Sequence, residues 1–95
     1  MSTVNISYKP AKPEEYVWNW IDENLEKMVA RKVPTENIRL VIDKPRQVIE
    51  FKGKTIAGFM TFKEGLIDIN IEIPLLYRMF GSTIRTSILD ILKSM

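Results

Sequence analysis

The run Leu66-Ile67-Asp68-Ile69-Asn70-Ile71-Glu72-Ile73-Pro74 constrains this chain more than any other part of it. Ile67, Ile69, Ile71 and Ile73 fall on one side, and Asp68, Asn70 and Glu72 on the other. A period of two is the signature of a β-strand, and strict alternation means one face buried and one wet. The isoleucine face therefore demands an apolar layer to cover it, and the strand demands neighbours.

Both demands are met elsewhere in the sequence. Val4, Ile6 and Tyr8 alternate as a short first strand. Three more strands are expected over Ile38–Asp43, Gln47–Phe51 and Thr55–Phe62, separated by the turns Lys44-Pro45-Arg46 and Lys52-Gly53-Lys54. Lys63-Glu64-Gly65 turns the chain into the isoleucine strand. Between the first two strands, Val17, Trp20, Ile21, Leu25, Met28 and Val29 recur at helical spacing. Pro13 suits the start of that helix, Glu14 and Glu15 favour its positive end, and Pro34 closes it by about Lys32. After Pro74 a second helical region is expected, interrupted at Gly81 and capped by Ser82 or Thr83. Its stripe is Ile84, Ile88, Ile91, Leu92 and Met95. The order β-α-β-β-β-β-α, with two apolar helix faces and one apolar sheet face, predicts an α+β two-layer sandwich. Its sheet is mainly antiparallel and both helices lie on one face.

At 95 residues the chain is one domain, residues 1–95. It has no Cys, which excludes disulfides and thiolate chemistry, and no His, which excludes the usual general base and the commonest metal ligand. Net charge is +2, too small a surplus to mark a nucleic-acid binder by composition. The polar start Met1-Ser2-Thr3-Val4-Asn5 and the lack of any run of about 18 apolar residues predict a cytoplasmic protein with no membrane span.

Chemical motifs are few. Gly53-Lys54-Thr55 matches the tail of a phosphate-binding loop, but Val48 stands where its first glycine belongs and a strand follows instead of a helix. Asp68-Ile69-Asn70-Ile71-Glu72 opens like a calcium loop, yet Ile73 and Met79 occupy the positions of its glycine and its glutamate. Glu15, Asn19, Asp22 and Glu26 share a helical face that reads as solvated, with Glu23 and Lys27 placed for a surface pair. Ser82, Thr83, Thr86 and Ser87 have no histidine to activate them. No catalytic residues, metal ligands or cofactors are assigned, and no enzymatic activity is expected.

Two binding features stand out. Meander geometry brings Arg31, Lys32, Lys52, Lys54 and Arg78 toward one end of the sheet, diluted by Glu36, as a candidate anion-binding cluster. Leu75, Leu76, Tyr77, Met79 and Phe80 crowd a short stretch in which not all can face inward. Of these, Leu76, Tyr77, Met79 and Phe80 are the candidate partner-binding residues, because contiguous exposed apolar surface marks interfaces. Trp18, Val41, Val48, Ala57 and Phe59 add to the apolar surplus, which also motivates a homodimer.

From Val48 onward the chain resembles a known family. The residues that carry this are the strand ending in Phe51, the Gly53 turn, Ile56-Ala57-Gly58-Phe59, the Ile67-to-Leu76 run, the Phe80-Gly81 junction and the Ile84/Ile88 helix. Together they resemble the polyhydroxyalkanoic acid system family of small bacterial proteins. The family's early His-containing segment has no counterpart here. The resemblance implies a cytosolic protein linked to polyester storage granules, with no catalytic residues to carry over. The expectation is a non-catalytic binding protein that contacts a protein or granule surface. The alternatives are a small inhibitor or adaptor, of the kind mobile elements encode, acting on a nucleic-acid-handling protein, and weak nucleic-acid binding through the basic end.

Overall fold

The computed structural model describes residues 2–95, and among these the side chains of all but Ser2, Thr35, Tyr77 and Arg78. Five strands form one antiparallel sheet: β1 (Ser2–Tyr8), β2 (Arg39–Asp43), β3 (Val48–Lys52), β4 (Ala57–Lys63) and β5 (Leu66–Ile73). Their spatial order is β1-β5-β4-β3-β2, so β2 to β5 form a meander and β1 pairs with the last strand. The isoleucine strand sits between β1 and β4, with Val4 opposite Ile71 and Ile6 opposite Ile69. It is flanked on both edges, and Ile67, Ile69, Ile71 and Ile73 are buried.

The first helical rod has three parts: α1 (Glu14–Trp20), a π turn (Ile21–Leu25) and α2 (Glu26–Lys32). Its buried residues, Val17, Ile21, Leu25 and Val29, recur every fourth position. On a regular α-helix such a pattern drifts about 40° around the axis per step. The wider π turn rewinds that drift and keeps all four on the sheet. Turn residues of the β2–β3 hairpin brace this rod, with Lys44 paired to Asp22 and Gln47 donating to Glu14. Trp18 packs edge-on against Phe62, ring centroids 6.2 Å apart.

A 3-10 turn, Leu75–Phe80, follows Pro74 and leads into α3 (Gly81–Lys93). Here the structure departs from the sequence-based expectation. Gly81 is the first residue of α3 instead of an interruption within a longer helix, Phe80 holds the N-cap position, and no side chain caps it. Gly81 lies beside Val4, where a Cβ would come within 3.6 Å of that side chain, in ordinary contact. Ile91 and Leu92 are buried in one core with the sheet and the first rod, so both helical layers cover the same face. The other face, with Phe59 at its middle, is open. The fold is an α+β two-layer sandwich.

Candidate binding surface

Ile73 is fully buried at the end of β5, and Pro74, without an N–H, ends the ladder there. The chain then has only six residues before α3, too few to fold a helix face back onto the core. In a 3-10 turn residues i and i+3 lie one above the other. Leu76 and Met79 therefore form one ridge, and it points outward: they are 86 % and 77 % exposed. Leu75 at 61 % and Phe80 at 50 % flank it. Tyr77 and Arg78 belong to the same turn, and their side chains lie outside the described ones. Three of the four candidate partner-binding residues thus stand together on the surface, joined by Leu75.

Phe80 also walls a groove of about 400 Å³ with Val33, Glu36, Lys54, Thr55 and Ile84. Its polar floor is built around Glu36, which the short Pro34–Glu36 turn delivers after α2. Glu36 Oε1 accepts the N–H groups of Thr55 at 2.7 Å and Ile56 at 3.0 Å. Its Oε2 accepts the Thr55 hydroxyl at 2.7 Å, and its carbonyl accepts the Lys54 N–H at 3.0 Å. Burial alone raises the carboxyl pKa. The Thr55 hydroxyl, the two backbone N–H groups and the Lys54 ammonium outweigh it and hold the group below its ordinary range. The amides of the Gly53-Lys54-Thr55 turn are thus all engaged internally, Gly53 donating to the Ile56 carbonyl, Lys54 to the Glu36 carbonyl and Thr55 to the Glu36 carboxylate. This turn leaves no set of convergent N–H groups for a phosphate.

The five candidate anion-binding residues are divided by the structure. Lys54 faces Glu36 at the groove. Lys52, two residues earlier on β3, projects from the opposite side of the sheet and pairs with Glu50 at 3.7 Å. Arg31 and Lys32 are exposed in the last turn of α2, where cations suit the negative end of the helix dipole. The Arg78 side chain lies outside the described ones. Among the described residues, Lys54 lines the groove, whereas Lys52, Arg31 and Lys32 are not part of its lining.

Beneath the groove lies a cavity of about 40 Å³ between the helices and the sheet. Val29 and Val33 on one side, Phe51 and Met60 below, and Ile88 and Leu92 above are among its lining residues, all apolar. A cavity with no polar partner for water stays dry. On the open face of the sheet, Asp68 accepts the Ser7 hydroxyl at 2.7 Å, while Asp22, on the first helical rod, is taken up by Lys44. Among the described residues no three carboxylates gather as a metal site, and no helix is long and apolar enough to cross a membrane.

Sequence reasoning singled out the Leu75–Phe80 stretch, whose Leu75, Leu76, Met79 and Phe80 are exposed, but missed the Glu36–Thr55 clamp. Glu36 was legible only as a charge diluting a basic end, and nothing local links it to a threonine 19 residues away. Comparison with protein-family models, with curated proteins and with solved structures finds no match to this chain.

Proposed function

We propose that this is a non-catalytic binding protein that docks through the Leu75–Phe80 turn onto an apolar surface. The observation that carries the reading is the ridge of Leu76 and Met79, held almost wholly in water by a turn anchored at both ends. Fully burying a side chain of this kind is worth about 1.5–3 kcal/mol, so Leu76 and Met79, with the exposed parts of Leu75 and Phe80, offset part of the cost of association. The target we propose is the polyester surface of a polyhydroxyalkanoate granule, for which the resemblance of residues 48–95 is the reason. Such a surface asks for no hydrogen-bonding code, only for apolar side chains presented without rearrangement.

Co-sedimentation with poly(3-hydroxybutyrate) particles tests this. The wild-type protein should pellet with the particles, and Leu76→Ser/Met79→Ser should remain in the supernatant with an unchanged melting temperature. A wild-type protein that stays in solution would remove the granule as the target. Equal binding by the double variant would remove the turn as the contact surface.

A further inference from the structure

The sheet has two edges, and they differ. Both β1 and β2 border a strand on one side only; α3 packs against β1, and among the described elements no helix packs as closely on β2. An open edge presents unpaired N–H and C=O groups, and proteins commonly protect such edges with charged side chains, prolines or bulges. β2 reads Arg39-Leu40-Val41-Ile42-Asp43, with a cation at one end and an anion at the other. Val41 is 49 % exposed and Ile42 37 %, although Ile42 belongs to the row that faces the helices.

From this pattern we infer that β2 is a self-pairing edge that joins two copies of the chain in antiparallel register about Val41. In that register Arg39 of each copy lies opposite Asp43 of the other, Leu40 opposite Ile42, and Val41 opposite Val41. The three outer-face residues meet outer-face residues, and the two inner-face residues meet inner-face ones, so the pleat continues across a ten-stranded sheet. Opposite charges directly across an antiparallel pair, and β-branched residues paired with each other, are the favourable combinations in a sheet. Sliding the register two residues one way sets Arg39 against Pro45, and two the other way sets Val41 against Arg39. Only the Val41-centred register overlaps all five residues and matches both charges. A two-fold axis through Val41 makes the interface isologous, so the assembly closes as a dimer and does not propagate into a fibre. The contact is small, which predicts an association that depends on concentration and weakens with salt. It does not involve the Leu75–Phe80 surface.

Sedimentation equilibrium of the purified chain and of charge-reversed variants tests the proposal. The wild type should shift from 11.1 kDa toward twice that mass as its concentration rises. Arg39→Asp sets two carboxylates against each other at both ends of the seam, and Asp43→Arg sets two guanidinium groups there. Each should weaken self-association roughly tenfold or more. Mixing the two variants restores both opposite-charge pairs, so the mixture should associate at least as well as the wild type. Recovery in the mixture also shows that each variant is folded. A wild type that stays monomeric to millimolar concentration would overturn the proposal, as would single variants that associate as well as the wild type, or a mixture that fails to recover.

Discussion

Glu36 grips Thr55 twice, its Oε1 on the backbone N–H and its Oε2 on the hydroxyl, each at 2.7 Å. This one contact ties the turn after α2 to the turn between β3 and β4, and so fixes one wall of the groove beside Phe80. Glu36→Ala leaves the Thr55 and Ile56 N–H groups without their acceptor and should cost about 1–3 kcal/mol in urea unfolding. Glu36→Gln keeps an oxygen for the amides and should cost less.

The same clamp sets an acid dependence. The folded-state pKa of Glu36 lies below its ordinary value of 4.5. Its contribution is complete above 4.5 and is lost as pH falls from there through the folded-state value, where the carboxyl protonates. Wild type should therefore exceed Glu36→Gln in stability by a constant margin at neutral pH. That margin should narrow on acidification below 4.5, measured by urea midpoints across the range.

Glu64 and Gly65 form the two-residue β4–β5 hairpin loop, both with positive φ, 54° and 77°. That backbone suits Asn-Gly and strains a glutamate. Glu64→Asn should raise stability by about 0.5–1 kcal/mol, seen as a higher melting temperature. Gly65→Ala should lower it.

Gly58 is a position of close approach in the sheet. A Cβ there would come within 2.3 Å of the Asn70 carbonyl oxygen and 2.9 Å of the Ile71 Cα, both backbone atoms that cannot swing aside. Gly58→Ala should therefore destabilise strongly, by about 2 kcal/mol or more. Gly81→Ala, whose Cβ would make only ordinary contact, should be tolerated.

The small apolar cavity gives a prediction of the opposite sign. Val29→Ile adds one methylene beside it and should stabilise by up to about 1 kcal/mol. Ile69→Ala, which enlarges it, should cost about 2–5 kcal/mol. Denaturant midpoints of the two variants check both.

Much of this fold was legible because its cues are local. The alternation of Ile67, Ile69, Ile71 and Ile73 required a half-buried strand, and the three- and four-residue spacing of Val17, Trp20, Ile21, Leu25, Met28 and Val29 required an inward-facing helix. The π turn went unread, because Val17, Trp20, Ile21, Leu25, Met28 and Val29 mix three- and four-residue steps as a regular helix does, and the strict four-residue spacing belongs to the buried subset alone. The place of β1 depends on a partner 59 to 71 residues away, and alternation says which face a strand buries, not which strand lies beside it. At the surface, the apolar excess of Leu75–Phe80 was countable from composition, since a single inner face has no room for it. The Glu36 clamp and the separation of Lys52 from Lys54 arise from the geometry of the turn after β3, which charge counting does not resolve.

The chain has no cysteine, so Leu76→Cys supplies a unique thiol at the crest of the exposed ridge. An environment-sensitive fluorophore attached there reports directly on what that ridge touches. Lys63→Cys, at the end of β4 opposite Leu66 and so at the far end of β5 from this turn, provides the control. On adding poly(3-hydroxybutyrate) particles, the label at position 76 should shift to the blue and become protected from an aqueous quencher, while the label at position 63 stays unchanged. An unmoved signal at 76, with or without a response at 63, would contradict docking through this turn.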